Sequence, residues 1–187
     1  MSGGAVFWLT GLSGAGKTTL ATRCSEILTQ EGIPVLVLDG DRMRSGLCAD
    51  LGFGMRDRVE NNRRCAEVAK IIAEKQICLC SFISPTKALR ATSRAIIGDG
   101  YREIYIRCPL ATCIRRDPKG NYAKALAGLL PGYTGIDAPY EEPEQPDLIV
   151  DTGQTSLDIS VHTLLAFIHQ TVLVTKSNSV EDAPRNR

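Results

Sequence analysis

Residues 11–18, Gly-Leu-Ser-Gly-Ala-Gly-Lys-Thr, carry the clearest chemistry in the chain and fit the spacing G-x-x-x-x-G-K-[ST]. Glycines at this spacing let successive backbone N–H groups curl around an anion. A helix that starts directly after them adds the positive end of its dipole. Lys17 is placed to reach the outer phosphates of a nucleotide, and the Thr18 hydroxyl is a hard oxygen ligand suited to Mg²⁺. The context fits. Ala5 to Thr10 is a short, mostly apolar run of the kind a buried parallel strand needs, and Lys17 to Gln30 has helical character, closing near Gly32.

A second set of chemical groups follows the next apolar run. Val35 to Leu38 predicts a strand that ends in Asp39-Gly40-Asp41. In open α/β sheets ligands gather at the carboxyl ends of strands, so these carboxylates face the same region as the glycine loop. There they can serve a metal and a hydroxyl nucleophile, although Asp41 could equally cap a helix. Residues 42–56 are basic and Gly-rich. Asp57 and Glu60 have the spacing of a capping box for a helix running to about Lys75, with Cys65, Val68, Ala69 and Ile72 as its apolar stripe. Arg58 and Asn61 share one face of its first turn, a pairing that by itself is more often a solvated surface.

These groups need a scaffold. Gln76 to Ile83 predicts a third strand, Ser84-Pro85 an N-cap and first turn for a helix reaching about Ile97, and Tyr101 to Cys108 a fourth strand. A short helix is expected over Leu110 to Arg116. Residues 117–146 then hold five of the nine prolines and four glycines around a helical patch, Tyr122 to Leu130, the composition of a functional lid. Residues 147–151 return as a fifth strand, and Ser156 caps a last helix from Leu157 to about Val174. The polar tail from Thr175 to Arg187 is expected to be disordered. The fold class is therefore α/β: a three-layer P-loop NTPase fold with a five-stranded parallel sheet and a Pro/Gly-rich lid.

Bulk properties exclude several classes. At 187 residues the chain forms one kinase-sized domain, 1–174, plus the tail. A net charge of +1 gives no global field for nucleic acid or a membrane surface, so an anionic ligand must be held by local cations. No apolar run has membrane-spanning length and no secretory leader is recognised, which places the chain in the cytoplasm. Seven cysteines and two histidines lack zinc-site spacing, and the cysteines read as small buried hydrophobes. Arg42, Arg44, Arg58, Arg115, Arg116 and Lys119 point to an anionic acceptor for a phosphoryl group. The residues alone reach a kinase of a small anionic acceptor.

Beyond that point the chain resembles the adenylylsulfate (APS) kinase family from about Phe7 to Asp151. The matching blocks are residues 11–18, Asp39-Gly-Asp-Arg-Met-Arg44, Leu51-Gly-Phe53, Asp57-Arg-Val-Glu-Asn61, Ser81-Phe-Ile-Ser-Pro85, Arg116-Asp-Pro-Lys-Gly120 and Tyr133 to Glu141. The resemblance implies transfer of the ATP γ-phosphate to the 3′-hydroxyl of adenosine 5′-phosphosulfate, giving 3′-phosphoadenylylsulfate (PAPS) in sulfate assimilation. It implies ATP on Gly11, Leu12, Ser13, Gly14, Ala15, Gly16, Lys17, Thr18 and Thr19, with the loop 152–155, Thr155 included, beside its adenine. Mg²⁺ would lie at Thr18 and Asp39. It implies an acceptor site of Asp41, Arg44, Phe53, Arg58, Asn61, Ile83, Ser84, Lys119, Gly132 and Tyr133. Phe53 and Tyr133 would sandwich the acceptor adenine, and Asp41 would orient the 3′-hydroxyl. Ser84 stands where a phosphoserine relay has been proposed. Its expected duty as an N-cap, with no neighbouring base in sequence, favours direct transfer over a relay. A homodimer and functional coupling to ATP sulfurylase are expected on the same ground.

The chain departs from the family at Arg42 (commonly Asn), Lys87, Asn121 (usually Leu) and Tyr133 (usually Phe). The added cation at Arg42 could strengthen acceptor binding or alter preference, which leaves a kinase of another anionic nucleotide as an alternative. A regulatory PAPS-binding domain would be expected to have a degraded phosphate loop, and this loop is intact. A GTP switch would need an Asn-Lys-x-Asp block, and the sequence has none.

Overall fold

The computed structural model describes residues 4–181, and side chains as far as Leu173. Its elements in chain order are β1 (Val6–Thr10), α1 (Lys17–Gln30), β2 (Val35–Asp39), α2 (Gly40–Arg44), α3 (Met55–Ile72), β3 (Ile77–Ser81), α4 (Lys87–Ile97), β4 (Tyr101–Arg107), α5 (Leu110–Arg116), α6 (Asn121–Leu126), β5 (Leu148–Asp151) and α7 (Leu157–Glu181). All strand pairs are parallel, in the order β2-β3-β1-β4-β5.

β1 is central because it can be buried on both faces. Phe7 and Leu9 enter a core shared with Leu20, Cys24 and Leu28 of α1 and with Leu164 and Ile168 of α7. Val6 and Trp8 point the other way, into a core shared with Cys65, Ala66 and Ala69 of α3. This period-two division of one strand between two cores makes the three layers. All seven cysteines are free and buried, four of them in the second core. Among the described residues no helix is long and apolar enough to cross a membrane.

Several boundaries differ from the sequence expectation. α3 begins at Met55 after Gly54, so Asp57 and Glu60 do not form a capping box. Asp57 instead accepts the Gly52 N–H at 3.1 Å, while Glu60 is drawn to Arg63 and Arg64. α3 also ends at Ile72, short of Lys75. The cap of α4 is Thr86, whose hydroxyl accepts the Leu89 N–H, and not Ser84. β3 stops at Ser81, two residues before the expected end. α6 covers Asn121–Leu126, where Tyr122 to Leu130 was expected. Ser156 does cap α7, accepting the Ile159 N–H at 3.3 Å. α7 runs past Val174 to Glu181, so residues 175–181 are helical where a disordered tail was expected. The rest of that tail, 182–187, lies outside the described residues.

Candidate active site

The glycine loop joins β1 to α1 at the carboxyl edge of the sheet. Two glycines there are sterically required. A Cβ on Gly11 would stand 2.5 Å from the Ile106 carbonyl oxygen, and Gly16 sits at φ 97° directly before α1. Five consecutive loop carbonyls each receive a side-chain donor. Lys17 Nζ donates to the carbonyls of Gly11 and Leu12 (2.9 and 2.7 Å), Tyr122 Oη to Ser13 (3.0 Å), Arg116 to Gly14 (3.3 Å) and Thr152 Oγ1 to Ala15 (2.7 Å). Burial pushes the Lys17 pKa down to about 8, against the opposing pull of Asp39 and Asp41.

Beside the loop, Thr18 Oγ1 donates to Asp39 Oδ2 at 2.8 Å and lies 3.0 Å from Ser81 Oγ. The strand ends of β2 and β3 and the first turn of α1 thus bring three hard oxygens together, a donor set that suits Mg²⁺. The other Asp39 oxygen caps α2, accepting the N–H groups of Asp41 and Arg42. The capping role considered for Asp41 therefore belongs to Asp39.

Across the cleft stand the basic and aromatic groups. The Arg44 guanidinium lies 4.4 Å from the centre of the Phe53 ring and donates to the Gly52 carbonyl at 2.8 Å. Arg58 spans the cleft rim, donating to Phe53 O (2.7 Å), Gly132 O (2.7 Å) and Thr134 Oγ1 (2.9 Å). Burial, with the nearby Arg44 charge, lowers its pKa. These two guanidiniums meet mainly neutral oxygens, so both keep their pull on an anion. Asn61 is buried one helical turn from Arg58, its Oδ1 without a partner. Lys119 pairs with Asp41. Tyr133 packs edge-on to Tyr122, with ring centres 5.1 Å apart.

One cleft of about 820 Å³ holds these groups. Its walls include Ser13, Gly14, Gly16, Lys17, Thr18, Thr19, Asp39, Asp41, Arg44, Phe53, Arg58, Asn61, Ile83, Ser84, Lys119, Gly132, Tyr133 and Thr155. Of the sequence-predicted site residues, Gly11, Leu12 and Ala15 lie behind the wall as loop framework. Arg42 and Arg115 are not in the wall, so the expected contribution of Arg42 to acceptor binding has no support in its position.

Ser84 occupies a different setting from the expected one. It is buried, has φ 40°, and its hydroxyl accepts from Trp8 Nε1 (3.0 Å) and donates to Asn62 Oδ1 (2.9 Å). Its carbonyl takes Arg90 at 3.0 Å, and Arg90 is ion-paired at 2.7 Å with Glu103. Asn62, Arg90 and Glu103 escaped sequence reasoning, since an Asn on a helix and a separated Arg–Glu pair carry no local signature. The one available signal was polar residues at positions facing apolar stripes.

This fold and this cleft define a phosphate-loop kinase with a cluster of cations facing its glycine loop. A family model described as adenylylsulphate kinase matches residues 3–151, and the chain belongs to that family. It is 49% identical over 166 residues to a probable adenylyl-sulfate kinase of Halalkalibacterium halodurans, covering 88% of this chain and 82% of that protein. It is 48% identical over 165 residues to an adenylyl-sulfate kinase of Bacillus licheniformis, covering 87% and 84%. Among solved structures it superposes on the Mycobacterium tuberculosis APS kinase in complex with AMPPNP and APS. The TM-score is 0.87 and the identity 42%, over 90% of this chain and 99% of that one.

Because Arg58 joins the Phe53 loop to Gly132 and Thr134, Arg58→Ala should loosen the segment 127–139. Limited proteolysis of the ligand-free protein should cut there several-fold faster, with the thermal midpoint nearly unchanged. Unaltered cutting would mean that the segment is held by other contacts.

Proposed function

We infer that this chain is an ATP-dependent kinase that phosphorylates the 3′-hydroxyl of adenosine 5′-phosphosulfate, forming PAPS and ADP. The observation that carries the reading is the single cleft with an intact phosphate loop on one side and Arg44, Arg58 and Asn61 on the other, in a member of this family. The M. tuberculosis relative was solved with AMPPNP and APS, which supports the same two ligands here.

The loop N–H groups and Lys17 hold the ATP phosphates. Lys17 leaves the carbonyls of Gly11 and Leu12 for the outer phosphates, exchanging two neutral acceptors for a charged one. Thr18 and Asp39 would hold Mg²⁺ with the nucleotide, and the ion would neutralise phosphate charge. Thr155, in the loop after β5, flanks the ATP adenine. On the acceptor side Arg44, Arg58 and Asn61 grip the phosphosulfate, Phe53 and Tyr133 stack on the adenine, and Ile83, Ser84 and Gly132 complete the pocket. Asp41, released from Lys119 as substrate enters, accepts a hydrogen bond from the 3′-hydroxyl and aims it at the γ-phosphate. Residues 117–146 act as the lid that excludes water as a competing acceptor.

Transfer is direct, without a phosphoserine. The Ser84 hydroxyl donates its proton to an amide oxygen, Asn62 Oδ1, that is no general base, and a lone pair of the same oxygen is engaged by Trp8. Direct transfer requires positioning and charge neutralisation, both supplied by the groups named above. The same reading makes the protein a cytoplasmic homodimer functionally coupled to ATP sulfurylase. Sedimentation at micromolar concentration should return twice the chain mass of 20.3 kDa, and a monomer would remove that assignment.

Lys17→Ala should lose PAPS formation by at least about 100-fold while keeping its circular dichroism spectrum, the scale of one lost charge-stabilising group. Near-normal turnover would refute the loop assignment. Asp41→Ala should lose most turnover at saturating substrate, whereas Ser84→Ala should retain a substantial share. A dead Ser84→Ala enzyme, together with a phosphoserine 84 competent to pass its group to adenylylsulfate, would establish the relay instead.

A further inference from the structure

Tyr122 lies behind the cleft wall and touches a wall residue on each side of it, Ser13 and Tyr133. It is fully buried at the start of α6, and its backbone N–H is held by Asp117 Oδ1 at 3.1 Å. Its hydroxyl donates to the Ser13 carbonyl in the middle of the phosphate loop, at 3.0 Å. Its ring meets the Tyr133 ring edge-on, with centres 5.1 Å apart and planes at 84°. One side chain therefore touches the backbone that cradles the donor nucleotide and the aromatic face offered to the acceptor.

The two contacts are mechanically linked. A trans peptide sets its C=O and the following N–H on opposite sides. A donor that fixes the Ser13 carbonyl therefore also fixes the Gly14 N–H on the anion side of the loop. The ring of Tyr122 is held within the apolar core and packs against Tyr133, and in a densely packed interior a shift of one ring is felt by the other. Ordering the loop with nucleotide thus orders Tyr133, and ordering Tyr133 with an adenine orders the loop.

We propose that Tyr122 is a positioning residue that couples the two substrate sites, so that occupation of the phosphate loop tightens acceptor binding through the Tyr122 hydroxyl and ring. This rests on the acceptor assignment given above. Coupling of this kind is reciprocal and typically amounts to about 5- to 150-fold in affinity.

The test is calorimetric titration of adenylylsulfate into the Mg²⁺-containing protein with and without saturating AMPPNP, for wild type, Tyr122→Phe and Tyr122→Leu. Wild type should bind adenylylsulfate at least about fivefold tighter when AMPPNP is present. Tyr122→Phe keeps the ring and removes the hydroxyl. It should bind AMPPNP more weakly, because the Ser13 carbonyl loses its donor, and bind adenylylsulfate alone within about threefold of wild type, yet show less than about twofold coupling. Tyr122→Leu should lose the coupling and also weaken adenylylsulfate binding by itself. Wild-type coupling that persists in Tyr122→Phe, or a wild type without coupling, would overturn the proposal. A merely structural role would lower the melting temperature and weaken both ligands alike, leaving their coupling intact, and would also overturn it. A wild-type protein that binds AMPPNP but no adenylylsulfate would instead overturn the acceptor assignment, and this proposal with it.

Discussion

Every backbone N–H that a loop turns toward an anion is tied, through a planar peptide, to a carbonyl that faces away. A phosphate loop therefore needs a back as well as a front. In this protein the back is complete: the carbonyls of residues 11–15 are met by Lys17, Tyr122, Arg116 and Thr152. An unpaired buried carbonyl would cost on the order of 1–3 kcal/mol each, enough to collapse an empty loop onto other partners. The donors come from α1, α5, α6 and the turn after β5. The placing of those elements around a central β1 is thus what keeps the nucleotide site in shape before a nucleotide arrives.

The wall of the cleft opposite the loop arranges its charges differently. Arg44 and Arg58 are held largely by backbone and hydroxyl oxygens, which fix their geometry without neutralising them. The carboxylate that does take a cation, Asp41, is exposed together with Lys119, where an ion pair is worth little and parts easily. Strongly paired charges lie elsewhere, as in the buried Arg90–Glu103 pair that braces the Ser84 carbonyl. The cleft thus keeps Arg44, Arg58 and Asp41 weakly paired, while the framework pair Arg90–Glu103 is tight.

Much of this was legible in the sequence because buried parallel strands are continuous apolar runs and the loop motif has fixed spacing. β1, β2 and β4 and the group Lys17, Thr18, Asp39, Asp41 follow from those rules alone. What stayed hidden depends on tertiary partners. Ser84 followed by Pro85 has the composition of a helix start, yet Trp8 and Asn62, distant in sequence, hold its hydroxyl and Thr86 performs the capping. Asp57 and Glu60 match a capping box in spacing, but Gly52 and two arginines outcompete that geometry. The end of α7 was missed for a related reason: polar residues after Val174 look like a tail when nothing in the sequence marks a stop.

The back of the phosphate loop has one more consequence, for the order in which the protein becomes competent as it is made. The loop leaves the ribosome before its supports at Arg116, Tyr122 and Thr152. At about 5–20 residues per second, the 135 residues that follow Lys17 as far as Thr152 take roughly 7 to 27 s to synthesise. Throughout that interval the nascent chain carries the whole motif without the donors that shape it. The loop can therefore take its fully supported shape only in the closing stage of biogenesis, after β5 has joined the sheet.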